Sequence, residues 1–184
     1  MTMMRDDLTI RAYHEAGHAV AHWLGRIDVD LITIESNDGK GPRVESASGL
    51  AINSHTAKLF GQQMLIIAWA GWAADLAHLK SMDPQASPYE IEGWGSDREK
   101  VFAILLAMGL KTRSEGFYQE EARQLLQKPD AWERVVAVAE ALMSHDSLSR
   151  FEFGGLMEGL GHLSSAYWSD LRKRHDLWWA EHFT

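Results

Sequence analysis

The chain has 184 residues, 46% of them hydrophobic, enough for one domain around a sizeable core. A net charge of -8 excludes nucleic acid as a partner, because phosphate recognition needs a basic face. Cysteine is absent, which excludes disulfides and thiolate metal sites, so any metal must be held by His, Asp or Glu.

The opening residues, MTMMRDDLTI, contain no apolar stretch of the signal-peptide kind. The longest apolar run, Met64 to Ala74, is far shorter than the roughly 20 residues that span a bilayer. The expectation is a cytoplasmic protein with no membrane span. In chain order, Asp6 or Asp7 caps a first helix that runs to about Leu24 and stops at Gly25. Asp28 to Glu35 is rich in β-branched residues and reads as a strand. Ser36 to Gly49 holds Asn37, Gly39, Gly41 and Pro42 and reads as turns or a hairpin. A long helix is predicted from about Thr56 to Leu79, then an irregular loop from Lys80 to Gly95. Helices follow at about Ser96–Gly109, Glu115–Gln127 and Asp130–His145, with one or two more from Phe151 onward. The predicted fold is a single domain over residues 1–184, mainly α with a small β element.

The informative residues are His14-Glu15-Ala16-Gly17-His18, the His-Glu-x-x-His pattern. Residues four apart share a helix face, so two imidazoles at this spacing can bind one zinc ion at roughly 2.0–2.1 Å each. Glu15 follows the first ligand and can take a proton from a metal-activated water. The plain alternative is a helix with two solvated histidines and a surface glutamate. Tyr13, Ala19, Val20, Trp23 and Leu24 argue against it, since they place the motif on a buried helix. A buried His-Glu-His cluster without a metal would leave polar groups unsatisfied.

A catalytic zinc needs a third protein ligand. His22 is excluded, because eight residues rise about 12 Å along a helix. Asp75 and Asp97 remain. Asp97 stands at the predicted start of a helix, where an acid suits the dipole and the free N–H groups; on chemistry alone that capping role is the stronger reading. Asp75 reads either as a polar residue on an apolar helix or as a group that orients a ligand histidine.

Taken in order, these pieces resemble the peptidase domain of the FtsH-type AAA zinc metalloproteases. The matching segments are AYHEAGHAVAHWLG (Ala12–Gly25), LITIES (Leu31–Ser36), AWAGWAADL (Ala68–Leu76) and GSDREKVFAILLAMGL (Gly95–Leu110). EEARQLL and AEALMSHDSLS, between Glu120 and Ser149, complete the series. The resemblance covers about Ile10 to Phe153 and leaves residues 154–184 as a helical C-terminal extension. It implies a zincin-like fold, a Zn2+ cofactor and metalloendopeptidase activity. It makes Asp97 the third ligand beside His14 and His18, and Asp75 a residue near the site or an alternative ligand. It implies that unfolded polypeptide lies along an edge strand at Leu31, Ile32, Thr33 and Ile34, a backbone-reading mode. The family has an ATPase module, and no phosphate-binding loop is present in this sequence. The expected partners are therefore a polypeptide substrate, a separate unfoldase or adaptor, and a second copy of the chain. The family's Arg after Ala-Gly is Trp72 here, and the stretch before the ligand loop is reduced to Glu92-Gly93-Trp94-Gly95.

The expected function is a stand-alone zinc endopeptidase. A catalytically weak, zinc-stabilised protein-binding module of the same fold is the alternative. Trp168, Trp178 and Trp179, with Leu171 and Leu177, form an apolar stripe that reads first as core packing and second as a docking surface.

Overall fold

A computed structural model describes residues 6–35, 39–46, 53–91 and 94–183. Seven helices and a three-stranded antiparallel sheet account for most of them, so the mainly α reading with a small β element holds. Much of the expected hairpin, Asn37 and Gly49 included, lies outside the described residues, as do Glu92 and Gly93. Among the described residues no helix is long and apolar enough to cross a membrane.

Helix α1 (Asp7–Leu24) starts where Asp6 accepts a bond from the Thr9 N–H at 2.7 Å. After Gly25 it is Arg26, at φ 58°, that takes the left-handed turn residue's place and sends the chain into strand β1 (Val29–Thr33). Strand β2 (Arg43–Ser46) pairs with β1. Helix α2 (Ser54–Met82) is longer at both ends than the predicted helix. Asn53 and Thr56 form a capping box at its start, and no proline interrupts it. Helices α3 (Gly95–Ala107), α4 (Glu115–Leu126) and α5 (Pro129–His145) fall close to their predicted bounds. A third strand, β3 (Ser147–Ser149), was not anticipated: Leu148 alone of its residues is buried, which is too short a run for alternation to register. Helices α6 (Arg150–Leu156) and α7 (Ser165–Phe183) complete the chain.

The sheet order is β2-β1-β3. This corrects the edge-strand expectation for Leu31, Ile32, Thr33 and Ile34. Leu31 to Thr33 face Arg43 to Glu45 on one side and Ser147 to Ser149 on the other, and the Ile34 N–H donates to the Asp146 carbonyl at 2.9 Å. The strand's hydrogen-bonding groups are thus engaged on both sides. The physical reason is that β3, which follows α5 far along the chain, supplies a second pairing partner that the composition of β1 cannot disclose.

Helices α1 and α2 meet backbone to backbone. A Cβ on Gly17 would lie 2.4 Å from the Ala70 carbonyl oxygen and 2.6 Å from the Ala74 Cβ. Neither atom can swing away, because both belong to the rigid body of α2. Gly17→Ala gains about 0.5–1 kcal/mol of helix propensity. The forced separation of two packed helices outweighs that gain, at about 1–3 kcal/mol or more. The expected result is a net loss of stability, read as a lower urea midpoint for the metal-free protein. A midpoint at or above that of the wild type would show that the helices are not held this close.

The C-terminal aromatic stripe mostly packs inward. Leu171 is buried, Trp168 and Trp178 are partly buried against the core, and Leu177 remains exposed. Within this contact His175 Nε2 lies 3.0 Å from Ser114 Oγ, and Asp176 Oδ1 lies 3.3 Å from His175 Nδ1. The residue types match a nucleophilic triad, but Ser114 is fully buried and no substrate can reach it. The contact ties α7 to the start of α4.

Candidate metal centre

Helix α1 turns His14 and His18 onto its α2-facing side, one turn apart, over Gly71. Helix α3 brings Asp97 to the same point from its first turn. His14 Nε2 lies 2.9 Å from Asp97 Oδ2, His18 Nε2 lies 3.3 Å from that oxygen, and the two Nε2 atoms are 3.1 Å apart. Among the described residues these three are the one group of acids and imidazoles close enough to share a metal ion.

The far side of each ring decides what the near side carries. His18 Nδ1 sits 2.7 Å from the Ile67 carbonyl oxygen, which can only accept, so the hydrogen is on Nδ1. His14 Nδ1 sits 2.9 Å from Asp75 Oδ2, and the same logic places its hydrogen there. With both rings neutral, each Nε2 presents a lone pair. Two lone pairs and a carboxylate oxygen then converge, which is repulsive unless positive charge lies among them.

A proton on His14 is one source of that charge. Burial alone would lower the His14 pKa, but the bonds to Asp75 and Asp97 and the charges of Asp75 and Glu15 raise it to about 10. Asp97 is held well below the usual carboxylate range: burial opposes ionisation, and the bonds from His14, His18 and Lys100 overcome it. A divalent cation is the other source. Tetrahedral zinc with ligands at roughly 2.0–2.1 Å has ligand-to-ligand edges of about 3.3–3.4 Å, close to the three separations here. Gly71 completes the cradle: a Cβ on it would lie 2.5 Å from His18 Nε2 and 2.6 Å from His14 Nε2. The donor set and the space fit zinc.

Asp97 is an acid in α3's first turn, where it suits the helix dipole, and its oxygens meet His14, His18 and Lys100. The N-cap position of α3 is Trp94, and it makes no side-chain capping bond. Asp75, 1% exposed on α2, bonds the outer nitrogen of His14 and stays away from the three-atom cluster. That is the orienting arrangement found behind metal-bound histidines. His22 lies one turn beyond His18 and spends its Nδ1–H on the His18 carbonyl at 2.8 Å. Burial pushes its pKa down to about 4, so it is neutral at pH 7.

Glu15 is buried, and its Oε2 has no protein partner among the described residues. Burial raises its pKa, against the lowering effect of His18 and His14. Positive charge at the three-atom cluster favours the ionised form, so a bound cation would keep Glu15 a carboxylate. Glu15 lines a cleft of about 560 Å³ together with the two histidines and Asp97. Ile10, Met64, Ile67 and Ile104 supply apolar walls, and β2 contributes Arg43, Val44 and Ser46. Two aromatic residues of the segment before α3 stand apart from this lining: Tyr89 is 96% exposed and Trp94 packs against Trp69.

Sequence reasoning missed two residues. Gly71 carried a signal, since a glycine inside a long helix costs stability and points to a close approach. Lys100, whose Nζ donates to Asp97 Oδ1 at 2.9 Å, carried none. In comparison with known proteins, no family model and no curated protein matches this chain.

Proposed function

We propose that this chain is a zinc-dependent endopeptidase domain of the FtsH-type kind, acting in the cytoplasm on unfolded or flexible polypeptides. The observation that carries the reading is the convergence of His14 Nε2, His18 Nε2 and Asp97 Oδ2 beside a buried carboxylate with one unpartnered oxygen. A structural metal site has no use for that carboxylate, which favours an enzyme over a zinc-stabilised binding module.

His14, His18 and Asp97 hold the metal. When bound there, zinc supplies Lewis acidity, which lowers the pKa of water toward about 7 and polarises a carbonyl. Asp75 and the Ile67 carbonyl fix the two imidazole tautomers, so both lone pairs stay aimed at the metal. Glu15 accepts the proton of the attacking water on its carboxylate and delivers it to the nitrogen of the leaving amine. The apolar walls take up the substrate's side chains and exclude bulk water around the buried carboxylate. The catalytic groups lie within a cleft and Glu15 is buried, so a flexible segment reaches them more readily than a folded domain, and a folded substrate calls for a separate unfoldase or adaptor.

The test is elemental mass spectrometry on the purified wild type beside Asp97→Ala, with cleavage of unfolded casein measured before and after chelation. The expected results are close to one zinc per chain in the wild type, most of it lost in Asp97→Ala, and cleavage that chelation abolishes. A wild type that takes up no zinc when supplied with it, or an Asp97→Ala protein that keeps its full complement, sinks the assignment.

A further inference from the structure

Asp97 uses its two oxygens for different partners. Oδ2 faces the histidine nitrogens at 2.9 and 3.3 Å, while Oδ1 accepts from Lys100 Nζ at 2.9 Å. Lys100 lies three residues further along α3, on the same face, and lines the cleft. Its side chain is 58% exposed, so as a surface ion pair it contributes little to holding the fold. Its effect lies in what it denies to Asp97. A carboxylate can offer a metal one oxygen or both. Both oxygens of Asp97 on one ion would crowd the position that a hydrolytic site must leave open.

We propose that Lys100 is a positioning residue: it occupies Oδ1, so that Asp97 serves the metal through Oδ2 alone and the remaining position stays accessible from the cleft. This inference rests on the metal-centre reading above. It makes no demand on the substrate and concerns the bound ion's coordination number.

The experiment loads the full chain with Co2+ and records the visible absorption of the wild type, Lys100→Met and Lys100→Arg. Four-coordinate Co2+ absorbs severalfold more strongly than five-coordinate Co2+. The wild type is expected to show the intense band. Lys100→Met is expected to lose most of it, with an unchanged thermal melt for the metal-free protein. Lys100→Arg keeps a donor within reach of Oδ1 and is expected to keep the band. An intense band retained in Lys100→Met overturns the inference, as does an equal loss in both variants, which would make the length of the side chain and not its bond the cause. A wild type that binds no cobalt removes the metal-centre reading and this inference together, whereas the first two outcomes remove this inference alone.

Discussion

Glu15→Gln is expected to keep the metal and lose the chemistry, with hydrolysis falling by at least ~10²–10⁴-fold, the range a positioned general acid–base contributes. The substitution is isosteric, so the cleft keeps its shape, but an amide cannot take up a proton. The ligands do not depend on Glu15: the His14 and His18 tautomers are held by Asp75 and the Ile67 carbonyl. Stability should not suffer either. Burial holds the Glu15 pKa above its ordinary 4.5, so the folded chain binds that proton more tightly than the unfolded chain does. Stability from this group is therefore present at low pH and is lost as pH rises through the raised value. Glutamine removes that loss, and the metal-free variant should melt at or above the wild-type temperature at pH 7. The measurements are zinc content, melting temperature and kcat on an unfolded substrate. Cleavage within a few-fold of the wild type would remove Glu15 from the mechanism. Loss of zinc together with activity would make it part of the metal site instead.

How far the sequence discloses the site differs from residue to residue, for physical reasons. His14, Glu15 and His18 are legible because a four-residue spacing within an apolar surround fixes both their shared face and its burial. Asp97 is not legible from its neighbours, since an acid in a helix's first turn has an ordinary use there. What separates a ligand from a cap is where α3 lies relative to α1, and that depends on the packing of α2 between distant segments. Asp75 was legible only as two options, and the 2.9 Å contact with His14 Nδ1 selects one. Among the elements, long amphipathic helices such as α4 and α5 declare themselves through periodicity. The central place of β1 does not, because its second neighbour, β3, is three residues long and lies far along the chain. A local reading sees the composition of a strand, never its neighbours.

Gly71→Ala should remove the metal site while leaving the fold standing, which sets it apart from Gly17→Ala. At Gly17 the added methyl meets backbone of α2 and must push two helices apart. At Gly71 it meets the ends of two imidazole rings, with His18 Nε2 at 2.5 Å, His14 Nε2 at 2.6 Å and His14 Cε1 at 2.7 Å. Those rings border the cleft and can rotate outward, but rotation gives up the His14 bond to Asp75 and the His18 bond to the Ile67 carbonyl, about 0.5–1.5 kcal/mol each, beside an off-rotamer cost of about 0.5–1.5 kcal/mol. Alanine inside α2 returns only about 0.5–1 kcal/mol through helix propensity, so the metal-free protein is somewhat destabilised but still folds. The ligand geometry has no such relief. Both nitrogens leave the point they share with Asp97 Oδ2, and the methyl takes up space at that point. Loss of an outer partner of a metal ligand typically lowers affinity about 10–100-fold; displacing two ligands should exceed ~100-fold. Zinc saturation at about 100 times its Kd stabilises a folded protein by about 2.7 kcal/mol, so the wild type should show a clear zinc-dependent rise in melting temperature. Gly71→Ala should show almost none, from a metal-free melt somewhat below that of the wild type. A zinc-dependent rise as large as the wild type's would place the metal away from Gly71, and with it away from the point where His14, His18 and Asp97 converge.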